Sequence, residues 1–449
     1  MALPRRGRYS YPETMNRNAI AIVDRLRRHG HQALLVGGCV RDLLLGIKPK
    51  DYDVATSAEP PAIMALFRRT IPVGARFGVV IVRMGGRNYE VATFREDEGY
   101  SDGRHPDGVR FTTARADARR RDFTINGMFY DPVAERVIDY VGGRRDLARG
   151  VIRAIGDPDR RFGEDKLRML RAVRFAARFG YRLEARTAAA IARHAAEISQ
   201  VSPERIRDEL ILLLTCPRPA DGLRLLERHG LLPAVLPEIA AMRGVPQPPE
   251  FHPEGDTLDH TTLMLELMSR GRKWPVELAL AVLLHDVGKP RTFEVLDRIR
   301  FNNHPVVGAE MAGEILSRLR FPRDTIGLVS DLVRDHLKFI DVERMRPATL
   351  KRFLRQERFD LHLELHRLDC LGSHGDLSAW RFCRRRLREL GRRKEALRPP
   401  RLISGDDLIG LGLAPGPEFK RILAAVEDAQ LEGAIKTREE ALALVRSRL

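Results

Sequence analysis

Apolar positions recur with a helical period over residues 17–30, where Ile20, Ile22, Val23 and Leu26 share a face and Gly30 closes the turn. Ala33-Leu34-Leu35-Val36 is a continuous apolar run, which predicts a short buried strand. Gly37-Gly38 turns the chain into a short helix through Leu45, stopped at Gly46. A second strand is expected over Asp51 to Ala55, then a helix over 60–69 opened by Pro60-Pro61. Residues 77–84 and 88–94 read as a hairpin across Gly85-Gly86. Strands and helices thus alternate through an α/β head of about 150 residues, while helical periodicity dominates from about 163 onward. Pro- and Gly-rich stretches at 244–256, 398–405 and 410–417 mark expected boundaries.

A chain of 449 residues calls for roughly two to four domains. The expected division is an N-terminal extension and helix over 1–30, a head over 31–155, a helical neck over 156–245, a second helical domain over 246–398 and a tail over 399–449. No apolar run of about 18 residues exists, which argues against a helical membrane span. Met1 to Arg8 has no apolar core of a secretory signal, and Cys39, Cys216, Cys370 and Cys383 lack metal or disulfide spacing, so a cytoplasmic protein is expected. The net charge of +17 favours a polyanionic partner, most simply nucleic acid. Basic residues also cluster locally, as in RADARRR at 115–121 and RFCRRRLRELGRRKEALR at 381–398.

Two carboxylates stand one residue apart in Lys50-Asp51-Tyr52-Asp53, just after the glycine turn. On a strand they project from one face and repel, which a pair of Mg²⁺ ions relieves. Glu90, on the second strand of the hairpin, is a third carboxylate suited to hold metal or take a proton. Arg120-Arg121-Asp122-Phe123-Thr124-Ile125-Asn126 offers arginines for a triphosphate, with Asp122 and Asn126 for sugar hydroxyls; a helix N-cap at Asp122 is the plainer alternative. From Gly163 a helix with arginines every third residue (Arg168, Arg171, Arg174) is expected, with Asp165 and Arg168 paired on its surface.

The order GGxVRD, DxD, RRDFTIN and EDxxRxxRxxRF, across about residues 30–215, resembles the class II tRNA nucleotidyltransferase and bacterial poly(A) polymerase family, which has a DNA polymerase β-like head. The resemblance implies an α+β chain, with a mixed-sheet head followed by an all-α body. It implies that Asp51 and Asp53 bind catalytic Mg²⁺, and that Gly38, Arg41, Arg121, Arg168 and Arg171 contact the nucleotide, with Gly37, Asp122, Asn126 and Arg174 beside them. It also implies that Asp165 and Arg168 read the base without a template. Cytosine and adenine each place an amine donor beside a ring-nitrogen acceptor, matching a carboxylate and a guanidinium. Uracil and guanine reverse that pattern and leave buried polar groups mispaired, at about 1–3 kcal/mol each. Residues 94–106 resemble the family's flexible loop for switching to ATP, with Arg104-His105-Pro106 where Arg-Arg-Pro is common. Such a loop weakens the case for an enzyme adding only CC. Ser404 to Gly412 resembles the family's tail, which grips tRNA.

Leu283-Leu284-His285-Asp286 places an adjacent His-Asp pair at the end of an apolar helix, a pattern suited to a divalent metal. It resembles the HD phosphohydrolase superfamily, with His260, His285, Asp286 and Asp369 as ligands and His304 and His336 for a second metal or phosphate. His362, His366 and His374 read as exposed helix or loop residues. The resulting expectation is an enzyme that adds CCA, or its terminal A, to tRNA from CTP and ATP, with an HD centre that acts on RNA ends. A poly(A) polymerase, an HD phosphohydrolase with an inactive head and a non-catalytic tRNA-binding protein are the alternatives.

Overall fold

The computed structural model describes residues 16–100, 103, 107–248, 254–270, 273–391 and 397–447. The N-terminal octapeptide, Arg104-His105-Pro106 and part of the basic run at 381–398 lie outside the described residues. The chain divides into two compact units, Met1–Ala240 and Ala241–Leu449.

In the first unit, helix α1 (Arg17–Arg28) is capped by Asn16, whose side chain accepts from the Asn18 and Ala19 backbone N–H groups. It buries Ile22, Val23 and Leu26. The longer strands are β1 (Ala33–Val36), β2 (Asp53–Thr56), β3 (Thr70–Gly74), β4 (Val79–Met84), β5 (Arg87–Thr93), β6 (Arg95–Glu98), β7 (Gly108–Phe111), β8 (Met128–Asp131) and β9 (Arg136–Asp139), and Val151–Ile152 pairs with Arg182–Leu183 in a separate short parallel ladder. Seven form one mixed sheet in the order β3-β4-β5-β2-β1-β8-β9, whose sole parallel pair is β2–β5. β6 and β7 form a separate antiparallel hairpin at the root of the loop expected at 94–106. One face of the sheet closes over Leu34, Val36, Ala55, Phe94, Ala118 and Phe129.

The helices of this unit are α2 (Gly38–Leu44), α3 (Pro60–Leu66), α4 (Ala114–Arg120), α5 (Gly143–Arg149), α6 (Pro158–Glu164), α7 (Leu167–Phe179), α8 (Ala185–His194) and α9 (Pro203–Leu214), followed by shorter helices through Ala240. The continuous helix expected from Gly163 is interrupted. α6 ends at Glu164, Asp165 is extended (φ −154°, ψ 106°) and α7 begins at Leu167. The Asp165 carboxylate accepts from the Leu167 N–H (3.1 Å), so a short polar side chain competes with the helix for a backbone donor.

The second unit is helical apart from a small hairpin, Phe293–Val295 with Ile299–Phe301. Helices Thr257–Ser269, His304–Arg318 and Phe359–Gly372 carry His260, His304 and Asp369, while His285 and Asp286 follow the end of Val276–Leu284 and His336 follows Arg323–Asp335. Toward the C-terminus, Ile403, Leu408, Val426, Ile435, Ala441 and Val445 form a separate apolar cluster. Among the described residues, no helix is long and apolar enough to cross a membrane.

Candidate active site and a histidine-rich centre

Register builds the first site. β1 and β2 pair so that Val36 faces Asp53, which puts the Gly37 turn beside that aspartate. Gly37 has φ +79° and ψ −134°, a conformation that only glycine adopts without strain. A Cβ there would lie 3.4 Å from Arg121 Nη1 and 3.9 Å from Asp53 Oδ2. Val54 faces Val91 across the parallel pair, so Glu90 is beside Asp53 on the neighbouring strand. Asp53 opens β2, and Asp51 lies in the stretch before it rather than on the expected strand. Burial, Glu90 and Asp51 push the Asp53 carboxyl up to about 6, against the pull of Arg121. Asp53 thus feels two neighbouring carboxylates that Arg121 offsets only in part, a setting that suits a hard divalent cation such as Mg²⁺.

A cavity of about 530 Å³ opens from this point. Gly37, Gly38, Arg41, Arg121, Asp122, Asn126, Asp165, Arg168, Arg171 and Arg174 all line it, together with Asp53. Asp51 and Glu90 are not among its lining residues. Arg120, Arg178, Arg205, Leu167 and Phe175 also line it. Phe175 supports Arg41, Arg171 and Arg174, whose guanidinium carbons lie 5.2, 5.6 and 4.1 Å from its ring centre. The spacing of Phe175 from Arg171 carries that signal in the sequence, whereas Arg205, on α9, carries none.

Each arginine of the cavity has a carboxylate partner. Arg41 bonds Asp42 (2.7 Å) and donates to Asn126 Oδ1 (2.6 Å). Arg120 and Arg121 both bond Asp117 (2.8 and 2.9 Å). Arg171 bonds Asp122 (2.7 Å), Arg174 bonds Glu209 (2.5 Å), and Arg178 stands 3.6 Å from Asp42. Burial alone would raise the Asp122 carboxyl, but Arg171, Asn126 and the Phe123 N–H outweigh it and hold it at about 2. Asp165 and Arg168 do not pair with each other as expected. Arg168 donates to Glu164 (2.7 Å) and to the Arg161 carbonyl (3.1 Å), while Asp165 accepts from Arg205 (2.8 Å). A larger cavity, about 750 Å³, shares Arg120 and is lined by Glu96, Asp97 and Glu98 of β6 and by Arg160, Arg161 and Glu164 of α6.

Model matches divide the chain in the same sense. Residues 33–153 match the poly(A) polymerase head domain, 180–243 a probable RNA-binding site of that polymerase, and 257–365 the HD domain. The CC-adding tRNA nucleotidyltransferase of Thermus thermophilus is 36% identical over 435 residues, covering 92% of this chain and 93% of that one. The chain belongs to the tRNA nucleotidyltransferase and poly(A) polymerase family. The CCA-adding enzyme of Geobacillus stearothermophilus is 44% identical over 223 residues, covering 49% of this chain and 55% of that one. The crystal structure of the Bacillus stearothermophilus CCA-adding enzyme in complex with CTP matches with TM-score 0.72 and 28% identity, covering 96% of this chain and 97% of that one.

In the second unit of this family member, the predicted metal ligands separate into two groups. Ligand atoms of His260, His285 and Asp369 lie within 4.8 Å of one another, as do those of Asp286, His304 and His336. Asp286 therefore stands with the two histidines kept for a second metal, rather than with the other three expected ligands. The two groups adjoin, with His285 Nε2 3.1 Å from Asp286 Oδ2 and His304 Nε2 3.4 Å from Asp286 Oδ1. Both nitrogens are buried and lack hydrogen-bond geometry, as suits atoms aimed at a metal. Burial, His285 and His304 push His336 down to about 3, which keeps its imidazole neutral. Lys289 forms an ion pair with Asp286 (2.7 Å) and donates to Gln247 (2.5 Å). His362 and His366 are buried, contrary to expectation, and His366 stacks on Phe339 at 4.2 Å; His374 is exposed. Their apolar neighbours on the same helix hid this, because the helix is covered nearly all round.

Proposed function

We propose that the chain is a template-independent nucleotidyltransferase that adds CCA to the 3′ end of tRNA from CTP and ATP, releasing pyrophosphate. One observation carries this reading: the base-reading, phosphate-binding and sugar-binding candidates all line the one cavity that begins at Asp53. Asp51 and Asp53 are the residues to hold Mg²⁺, which would steady the attacking and leaving oxygens of the transfer. Arg41, Arg121 and Arg171 bind the triphosphate. Glu90 holds metal or takes the proton from the tRNA 3′-hydroxyl as its oxygen attacks the α-phosphate. Asp165 accepts from the amine of cytosine or adenine while Arg168 donates to the ring nitrogen. The basic excess supplies phosphate contacts to the tRNA arms. Work in the cytoplasm, and the division into extension, head, neck, HD domain and tail, belong to the same proposal.

The HD centre binds divalent metal through His260, His285 and Asp369, with Asp286, His304 and His336 as the adjoining second group, and acts on phosphorylated RNA ends. Imidazole and carboxylate donors together suit a transition ion better than Mg²⁺ alone.

A second reading has a specific support: the relative matched over nearly its full length is CC-adding. Purified protein should be given tRNA ending before the CCA, after C and after CC, with each NTP in turn. Two C additions followed by one A support CCA addition. Arrest after the second C supports the CC reading. Long A tails on unrelated RNA would sink both.

A further inference from the structure

Three of the four histidines around the second centre are oriented in the same way. Nδ1 of His285, His304 and His336 bonds the carbonyl of the residue three places earlier, Val282, Phe301 or Val333, at 2.9, 2.9 and 2.6 Å. A carbonyl only accepts, so each Nδ1 carries the proton and each Nε2 is left to the centre. His260 differs. Its Nδ1 bonds the Glu254 carboxylate at 2.6 Å, while its Nε2 faces Asp369 Oδ1 at 3.2 Å. A doubly protonated ring would donate to both carboxylates; once a metal binds, the Nδ1 proton held by Glu254 leaves the Nε2 lone pair to that metal, beside Asp369.

The segment bearing Glu254 is built, although its composition reads as a linker. Asp256 caps the helix that follows, accepting from the Leu258 and Asp259 N–H groups at 2.9 Å each. Its other oxygen accepts from the Gly244 N–H (2.7 Å), and the Thr257 N–H bonds the Val245 carbonyl (3.2 Å). Gly255, at φ +129°, reverses the chain so that Glu254 reaches the ring; a Cβ there would meet Asp259 Oδ2 at 2.7 Å. Glu254 is itself nine-tenths buried.

We propose that Glu254 is a positioning residue that holds His260 with Nε2 toward a bound metal, so that the His260/His285/Asp369 group depends on it and the Asp286/His304/His336 group does not. This rests on the metal-binding reading of the HD centre. Carboxylates behind a metal-bound histidine fix its ring and strengthen it as a ligand, typically by about 10–100-fold in affinity.

The test is titration of the full chain with Ni²⁺, which prefers imidazole to the all-oxygen head site, read by calorimetry and by metal content after gel filtration. Glu254→Ala should weaken one of two bound Ni²⁺ ions by about 10–100-fold and leave the other unchanged. Glu254→Gln, whose amide oxygen still accepts from Nδ1, should stay close to the parent. Nucleotide addition by the head should not change in either variant. Parent affinity at both sites in Glu254→Ala would overturn the role of Glu254 alone. Loss of both ions together with a lower metal-free melting temperature would make Glu254 structural and overturn it too. If the parent takes up no Ni²⁺, the metal reading of the centre falls first and this inference with it.

Discussion

Arg205 holds Asp165 by a 2.8 Å ion pair that spans 40 positions of sequence. Asp165 is the group proposed to accept from the base amine, so its orientation is set from α9 rather than from its own segment. Arg205→Ala should let the carboxylate rotate. Base choice should then loosen, with incorporation of UTP and GTP rising roughly tenfold relative to CTP and ATP, in keeping with 1–3 kcal/mol for one charged hydrogen bond. Arg205→Lys should recover part of the discrimination. Competition between paired NTPs on tRNA lacking CCA measures this, and unchanged base choice in Arg205→Ala refutes it.

Asp53→Ala should remove nucleotide addition, by about a thousandfold or more if the metal supplies several kcal/mol. Binding of tRNA should persist, since the basic surface is untouched. Single-turnover assays with a filter-binding control separate the two; substantial residual addition would displace Asp53 from the chemistry.

Asp122 offers a pH test. Its carboxyl lies at about 2, below the ordinary 3.8, because Arg171 and its hydrogen bonds outweigh burial. A depressed pKa means that the ionised form stabilises the fold above about pH 4 and that this contribution fades as the pH falls through about 2. The shift corresponds to about 2 kcal/mol. Urea unfolding of the parent and Asp122→Asn should therefore differ by at least about 2 kcal/mol at pH 7 and converge near pH 2. A difference that persists in acid would show that the ion pair is not its source.

Gly37→Ala should cost about 1–3 kcal/mol of stability, from the left-handed φ alone, and should impair addition by crowding Arg121. A variant as stable and active as the parent would contradict the close approach described at this turn.

Much of the head was legible from local pattern. Ala33–Val36 emerged as an apolar run, and the β4–β5 hairpin as alternation around Gly85-Gly86. β3, β6, β7, β8 and β9 were missed. Each is short, and Thr70–Gly74 is mostly exposed, so little apolar periodicity marks it. The break at Asp165 was hidden because arginines every third residue mimic one continuous helix. Candidates for nucleotide binding could be named because their chemistry is local, whereas their partners could not. Arg205 and Glu209 come from a distant helix, and no spacing rule brings them to Asp165 and Arg174. The HD ligands were legible by type, but which aspartate joins which histidines depends on how five helices pack. Glu254 was hidden in a stretch whose prolines and glycines read as a tether.

The eight arginines lining the nucleotide cavity are each matched by a carboxylate, so the pocket carries its own counter-ions. On the proposed reading, a triphosphate entering it would not meet a bare cationic wall; it would displace Asp122 from Arg171 or share the arginine with it. Binding is thus an exchange of one set of anions for another, and its net strength is far smaller than eight positive charges suggest. In such an exchange a ligand that brings a triphosphate and a matching base together would hold an advantage over a single phosphate, which carries less charge and no base.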